Sequence, residues 1–134
     1  MDVIGFWTRS WTSDDRTAVQ KLLAPDVEVE WNLDAPVDDE ELTQVQHRIA
    51  AFADTVTVAG ETLAEDGATL VYDLVAPFGT ARMVEFLAVV DGRITEVRQV
   101  YDVTLVDRYF PGLYENLNLS YPAATVRPWL TTSR

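Results

Sequence analysis

Asp73 and Glu85 are the side chains best suited to chemistry in this sequence, because they are acids on two neighbouring predicted β-strands, residues 68–76 and 80–90. Two carboxyl groups that share an apolar cavity have different pKa values, because the charged form loses hydration and like charges repel. One acid is then protonated while the other is ionised. Such a pair can act as general acid and general base in a proton transfer.

The register of the two strands decides whether both acids face one cavity. If Pro77-Phe78-Gly79 forms the connection, Ala76 faces Thr80, and counting back along both strands sets Asp73 opposite Met83. Opposed residues share a face of a sheet. The residues predicted to share one face are Val71, Asp73, Val75, Met83, Glu85 and Leu87. In the competing interpretation, each acid faces solvent or pairs with Arg82 or Arg98.

The composition excludes several kinds of site and partner. The chain of 134 residues carries 22 acidic and 10 basic side chains, for a formal charge of −12. Such a surface repels nucleic acid and anionic lipid, so we expect neither nucleic acid nor a membrane as partner. Cysteine is absent and His47 is the single histidine, which excludes thiol chemistry and leaves almost no scope for a zinc or iron site. We therefore expect no metal and no organic cofactor.

The apolar pattern predicts an α+β chain in the order α, α, β, α and then four strands. Ile4, Trp7 and Trp11 share one helix face, Pro25 ends a second helix, and residues 27–33 alternate as a strand. A third helix begins near Asp38. Three helices before an antiparallel meander predict a cone-shaped α+β barrel, in which N-terminal helices pack on a strongly curved, mainly antiparallel sheet and enclose a pocket.

Two segments resemble the nuclear-transport-factor-2-like superfamily, and within it the SnoaL-like, polyketide cyclase-like and ketosteroid isomerase-like proteins. They are Leu22-Leu23-Ala24-Pro25-Asp26-Val27 and the stretch from Val90-Asp91-Gly92-Arg93 to Val100-Tyr101-Asp102. The element order matches from about residue 3 to residue 113. The resemblance implies one domain over residues 1–134, with its core at about 3–113. It implies a pocket but no single reaction, because the superfamily contains isomerases, cyclases, hydrolases, dehydratases and binding domains.

The resemblance also implies which residues face the pocket. The positions of the catalytic Tyr and base of ketosteroid isomerases fall on Trp7 and Trp31, so that proton shuttle is absent as such, whereas the protonated acid falls near Glu85. The expected catalytic set is Asp73, Glu85, Gln99 and Tyr101. The expected ligand-binding set is Trp7, Trp31, Asn32, Val71, Met83, Leu87 and Val97. A slip of one residue in the last strand would instead place Arg98 and Asp102 inside.

Two functions are compatible with such a pocket. The first is a cofactor-independent isomerase, cyclase or dehydratase that moves a proton on a small apolar or aromatic carbonyl metabolite. The second is a non-catalytic ligand-binding or dimerisation domain of the same fold, which the missing proton shuttle favours. We place the enzyme slightly ahead of the binding domain.

The predicted outer face of the sheet indicates a homodimer. It carries Tyr72, Leu74, Val84, Phe86 and Val100, and an apolar strip of this size usually marks an interface. Residues 114–134 lack a periodic pattern, yet they are too apolar for a free tail, so we expect them to lie across the body or a partner subunit. No targeting segment is evident at the N-terminus, and we expect a cytoplasmic protein.

Overall fold

The computed structural model describes residues 3–11, 16–32, 35–110 and 113. Its helices are α1 (Val3–Ser10), α2 (Arg16–Leu22), α3 (Asp39–Phe52) and α4 (Val103–Tyr109). Its strands are β1 (Leu23–Trp31), β2 (Ala35–Val37), β3 (Thr55–Ala64), β4 (Gly67–Ala76), β5 (Gly79–Val90) and β6 (Arg93–Tyr101). The prediction for residues 114–134 lies outside the described residues.

The strands form one six-stranded sheet in the order β2-β1-β6-β5-β4-β3. Every neighbouring pair is antiparallel except β1 and β6, which run parallel. Register shifts in the β1–β6, β3–β4 and β5–β6 pairs bend the strands, as β-bulges do. The predicted helices on a curved, mainly antiparallel sheet are thus confirmed, although the sheet is open rather than closed into a barrel.

Helix α3 forms where the sequence predicts it. Asp38 caps its N-terminus by accepting a hydrogen bond of 2.8 Å from the Glu40 backbone N–H. Leu42, Val45 and Ile49 recur on one face and are buried in the core beneath the helix. This stripe fixes α3 against the inward face of the sheet. None of the helices in the described ranges has both the length and the hydrophobicity that crossing a bilayer requires.

The predicted register of β4 against β5 is wrong by one residue. The connecting turn has two residues, because Ala76 pairs with Gly79 rather than with Thr80. Asp73 therefore pairs with Arg82 on the outer face, and Tyr72 takes the place opposite Met83 on the inner face. A shift of one residue moves every side chain of a strand to the other face. Leu70, Tyr72 and Leu74 of β4 are accordingly buried.

The predicted orientation of β5 and β6 agrees with the structure. Met83, Glu85 and Leu87 of β5 are buried, as are Val97 and Gln99 of β6. Arg98 is exposed, and Asp102 caps α4 by accepting a hydrogen bond of 3.1 Å from the Leu105 backbone N–H. The slipped arrangement of β6, with Arg98 and Asp102 inside, is thereby excluded.

Candidate functional site

Glu85 lies at the centre of a buried hydrogen-bond network, with its side chain fully shielded from solvent. One carboxyl oxygen, Oε1, accepts from the indole N–H of Trp7 at 2.7 Å and from the hydroxyl of Tyr72 at 2.8 Å. The other, Oε2, accepts from the side-chain amide of Gln99 at 2.7 Å. Helix α1 and strands β4 and β6 thus each supply one hydrogen bond to an acid on β5.

Trp31 extends this network to the parallel strand β1. Its indole N–H donates to Oε1 of Gln99 at 2.8 Å, which is possible because Trp31 and Gln99 are paired between β1 and β6. An indole nitrogen can only donate, so this contact fixes the Gln99 carbonyl towards Trp31 and its NH₂ towards Glu85. We call the set of Trp7, Trp31, Tyr72, Glu85 and Gln99 the Glu85 network.

Burial raises the pKa of Glu85 above its ordinary value, because the charged form loses hydration. The hydrogen bonds from Gln99, Trp7 and Tyr72 act in the opposite direction without cancelling the rise. Burial also raises the pKa of Tyr72, and the neighbouring charge of Glu85 adds to that rise. The Tyr72 hydroxyl therefore stays protonated and serves as a donor to the carboxyl group.

A small cavity lies beside this network, between α3, α4 and the inward face of the sheet. Its volume is about 10 Å³, enough for about one water molecule. Helix α3 lines it with Leu42, Val45, Gln46 and Ile49, and the sheet lines it with Leu74, Met83, Gln99 and Tyr101. The lining is completed by Trp11, Val106 and Leu113. We call this space the α3 cavity.

Most of the predicted ligand-binding residues are buried outside the α3 cavity. Met83 is the one member of the predicted ligand-binding set that lines it. Gln99 and Tyr101 of the predicted catalytic set also line it. Trp7 and Trp31 lie within the Glu85 network, and Leu87 and Val97 are core residues. The interior of the cone is therefore filled largely by the protein's own side chains.

Asn32 links the end of β1 to the end of β6 and does not line the α3 cavity. Its backbone N–H donates to the Gln99 carbonyl at 2.7 Å, and its Oδ1 accepts from the Tyr101 N–H at 2.9 Å. Its φ of 54° lies in the left-handed region, which Asn adopts more readily than most residues. This geometry explains why an Asn follows β1.

The prediction that Asp73 and Val71 face the pocket is wrong. Both lie on the outer face of β4, and Asp73 accepts two hydrogen bonds from the Arg82 guanidinium, at 2.9 and 3.1 Å. The hydrogen bond to Arg82 lowers the pKa of Asp73, so the carboxylate stays ionised on the surface. The acid pair expected from the sequence consequently does not exist, and Glu85 is left without a second carboxyl group.

Sequence reasoning missed the site roles of Tyr72, Trp11 and Gln46. The predicted register places Tyr72 on the outer face, because its turn after β4 is one residue longer than the turn in the structure. Trp11 follows Trp7 on the predicted face of α1, and Gln46 lies one turn beyond Leu42 on α3. Helical spacing was therefore sufficient to place both residues at the core, but not to identify them as polar groups of a cavity.

Among the described residues, no three Asp, Glu or His side chains are grouped as a metal ion would require. No protein-family model matches this chain. No curated protein matches it either. Solved structures do match, and three of them are informative.

The first is a protein with a ketosteroid isomerase-like fold from Catenulispora acidiphila DSM 44928 in complex with trimethylamine, which is 20% identical over 81% of this chain and 92% of its own, with a TM-score of 0.61. The second is an NTF2-like protein from Cytophaga hutchinsonii ATCC 33406, 14% identical over 78% and 91% of the two chains, with a TM-score of 0.63. The third is the de novo designed NTF2 fold protein NT-9, 21% identical over 85% and 92%, with a TM-score of 0.64.

This chain has the nuclear-transport-factor-2-like fold. The match extends over 78–85% of this chain and 91–92% of the three matched chains. A designed protein shares the nuclear-transport-factor-2-like fold with natural ones, so the fold by itself assigns no activity. Function has to be argued from the Glu85 network and the α3 cavity.

Proposed function

We propose that this protein is a non-catalytic domain that binds one small, mainly apolar molecule in the α3 cavity. The observation that carries the proposal is the chemistry of the lining. Among the described residues that line the cavity there is no carboxylate, amine, guanidinium or imidazole. An apolar pocket with a few polar groups is suited to binding and orienting a ligand, and among the described lining residues only the Tyr101 hydroxyl can act as a general acid or base.

The position of Glu85 supports a domain that binds a ligand but does not catalyse a reaction. Gln99 separates it from the α3 cavity, and the three donors of the network occupy both carboxyl oxygens. A catalytic acid has to reach the reacting atom within hydrogen-bond distance or through one water. Glu85 instead receives bonds from its own chain and stabilises the interior.

The α3 cavity admits about one water-sized group as it stands, so a larger ligand enters only if lining side chains move. Met83 lines the cavity, and its unbranched, flexible side chain can move to enlarge it. The Catenulispora protein of this fold forms a complex with trimethylamine, which is likewise a small molecule.

Titration with toluene, followed by ligand-observed NMR, tests the proposal. Wild-type protein is expected to bind toluene, and Val45→Phe, which adds volume to the cavity wall, is expected to weaken binding by about tenfold or more. The matched control is Val58→Phe, since Val58 is exposed on β3 and outside the cavity lining. Absence of toluene binding, or equal effects of the two variants, would contradict the proposal.

A proton-transfer enzyme of the isomerase, cyclase or dehydratase type is the second candidate. One observation favours this candidate. Gln99 lines the α3 cavity and also donates a hydrogen bond to Glu85, and burial raises the pKa of Glu85. Cyclohexanone in D₂O provides the test, because an acid–base catalyst accelerates exchange of its α-protons. A rate above that of buffer, lost in Glu85→Gln, would establish catalysis. A rate equal to that of buffer supports the binding domain.

We further propose that the protein is a homodimer that pairs through the outer face of the sheet. Val84, Phe86 and Val100 lie on this face, with Phe86 41% exposed. The surface pairs Asp73–Arg82 and Glu30–Arg98 lie on the same face and provide a charged surround. Phe86 lies across from Thr69 and Arg98, and aromatic and Arg side chains are enriched at protein interfaces.

A further inference from the structure

Strand β3 forms one edge of the sheet and is exposed along most of its length. It spans Thr55–Ala64 and pairs on one side with β4, and no residue in the described ranges 3–11, 16–32, 35–110 and 113 forms a strand on its other side. Every residue of β3 except Val56 and Gly60 is exposed. An edge strand carries a row of backbone N–H and C=O groups without partners, which can pair with a further strand.

The two edges of the sheet differ in how they are protected. The opposite edge is the three-residue strand β2 with Pro36 at its middle, and a short strand that contains a proline pairs poorly with another chain. β3 has ten residues and contains no proline, lysine or arginine. Its register shift lies between Val58 and Gly60, and the strand pairs regularly with β4 on both sides of that shift. β3 is therefore the edge that can accept a further strand.

The side chains of β3 on the inward face of the sheet are partly uncovered. Val58 pairs with Tyr72 and Leu63 pairs with Ala68, and both partners on β4 are buried. Because opposed residues share a face, Val58 and Leu63 point inward, yet they are 42% and 60% exposed. A strand added beside β3 would remove this apolar surface from water if it carried apolar side chains on the same face.

Glu61 gives this edge a negative charge. It lies between the two apolar residues on the same face, opposite the buried Leu70 of β4, and no basic side chain in the described part of the chain pairs with it. The stretch from Ile49 to Ala81 contains no lysine, arginine or histidine, and its acidic residues are Asp54, Glu61, Glu65, Asp66 and Asp73. A cationic side chain on an added strand would therefore find a complementary charge at Glu61.

The same charges disfavour a second copy of this chain as the added strand. Two β3 strands side by side would bring together two copies of Glu61, Glu65 and Asp66 without a neighbouring basic side chain to pair with them. Like charges across an interface oppose association and act against the wrong partner. The edge is thus suited to a different chain of opposite charge.

We propose that the free edge of β3 binds an extended, basic segment of a partner protein by strand addition. The segment alternates apolar and basic side chains on the face that points inward, so that a lysine or arginine meets Glu61 and apolar side chains cover Val58 and Leu63. Backbone hydrogen bonds to β3 supply affinity, and the side chains supply specificity. This site is separate from the α3 cavity, whose described lining includes no residue of β3.

A basic peptide of alternating pattern tests the proposal. The probe is acetyl-Val-Thr-Lys-Thr-Val-Thr-Lys-amide, and the control peptide has glutamate in place of each lysine. In ¹H–¹⁵N NMR titration of the full chain, the basic peptide is expected to shift the β3 amide signals, and the acidic peptide should bind more weakly by about tenfold or more. Added salt should weaken binding of the basic peptide, because ions screen exposed charges.

N-methylation of the peptide separates strand pairing from a contact through side chains alone. A peptide that pairs with an edge directs alternate N–H groups towards it. Two versions of the basic peptide, methylated on alternate backbone nitrogens in the two possible phases, should therefore differ in affinity by about tenfold or more. Equal affinities of the two versions would overturn strand addition.

Reversal of charge at Glu61 tests the assignment to this residue. Glu61→Lys should remove the preference for the basic over the acidic peptide. Glu28→Lys is the matched control, because Glu28 is an exposed acid on β1, and it should keep the wild-type preference. An unchanged preference in Glu61→Lys would contradict the role of Glu61.

Hydrogen exchange of the wild-type chain without peptide shows whether the edge is free. Amides of β3 that point away from β4 are expected to exchange rapidly and to become protected when the basic peptide binds. Protection without peptide would overturn the proposal, because a second copy then covers the edge if protection rises with protein concentration, and another part of this chain covers it if protection does not. Absence of binding, or equal affinities for the basic and acidic peptides, would also overturn it and leave the proposals for the α3 cavity intact.

Discussion

The side-chain amide of Gln99 donates a hydrogen bond of 2.7 Å to Oε2 of Glu85, and its orientation is set by Trp31 on a different strand. Trp7 and Tyr72 donate to the other carboxyl oxygen. The Glu85 carboxyl group is therefore the acceptor in every hydrogen bond described at it. An ionised carboxylate only accepts, so the arrangement suits the charged form, while burial opposes it.

Glu85→Gln should destabilise the fold although it removes a buried acid. The introduced amide has one oxygen and one NH₂, and the NH₂ must face either Gln99 or the donors Trp7 and Tyr72. The Gln99 amide cannot turn to accept, because Trp31 would then face another donor. We expect a loss of about 1–3 kcal/mol in the free energy of unfolding, measured by urea denaturation at neutral pH.

Glu28→Gln is the control for this substitution, since Glu28 is exposed on β1. It should change the free energy of unfolding by less than about 0.5 kcal/mol. Equal, small effects at both positions would mean that the donors around Glu85 contribute nothing to stability.

The raised pKa of Glu85 should make wild-type stability fall as pH rises. In the unfolded chain this acid loses its proton near the ordinary value of 4.5, whereas the folded chain retains it to a higher pH. Between the two values the folded state holds the extra proton, so the contribution is complete below pH 4.5 and is lost as pH rises through the folded value.

The pH effect is measured as the free energy of unfolding between acid and neutral pH. Asp39 and Glu41 also have pKa values raised by burial, so the wild-type slope contains their contributions as well. Glu85→Gln isolates the term from Glu85, because the difference between wild type and variant should vary with pH in this window. A constant difference would show that the pKa of Glu85 is the same in both states.

Asp73→Asn should have little effect on stability and none on binding. Asp73 pairs with Arg82 on the surface, where the Arg82 side chain is 64% exposed, and exposed ion pairs contribute little. We expect the melting temperature to change by about 2 °C or less and the dissociation constant of toluene to stay unchanged. A large loss of binding would place this acid at the ligand after all.

Phe86→Arg should convert the proposed dimer to a monomer, because it places a charge at the centre of the outer face. Sedimentation equilibrium of wild type and variant at one concentration measures the change. Leu63→Arg is the matched control, since Leu63 is 60% exposed on β3 and lies apart from that face. A wild-type protein that is itself monomeric would contradict the dimer.

Sequence periodicity predicts the helices and strands because each of them is encoded within a short stretch of the chain. The stripe of Leu42, Val45, Ile49 and Phe52 predicts the buried face of α3, although Phe52 at its end is 39% exposed. Asp91-Gly92 predicts the hairpin between β5 and β6, where both residues have positive φ. Alternation leaves open which face points inward, and the resemblance to the nuclear-transport-factor-2-like superfamily selects the face that carries Glu85 and Gln99, both of which are buried.

The site is harder to predict because its contacts join distant parts of the chain. Trp7 and Glu85 are 78 positions apart in the chain. Trp31 contacts Gln99 because β1 and β6 pair in parallel, and no short sequence motif predicts that pairing. Asp73 shows how a small local error is amplified. A predicted turn that is one residue too long moves this acid from the surface to the predicted pocket.

Exchanging the residues at positions 85 and 99 tests most directly whether the direction of hydrogen bonding in the Glu85 network stabilises the interior. In Glu85→Gln/Gln99→Glu the introduced amide oxygen accepts from Trp7 and Tyr72, and its NH₂ donates to the relocated carboxylate, which also accepts from Trp31. The variant Gln99→Glu alone sets two carboxyl groups side by side, so one of them must hold a proton. Only the double variant restores a partner for every group.

The decisive measurement is the double-mutant cycle in the free energy of unfolding at neutral pH, from urea denaturation of wild type, both single variants and the double variant. We predict that each single variant loses about 1–3 kcal/mol and that the double variant is more stable than either one. Losses that add to within about 0.5 kcal/mol would contradict the account, because Glu85 and Gln99 would then contribute independently.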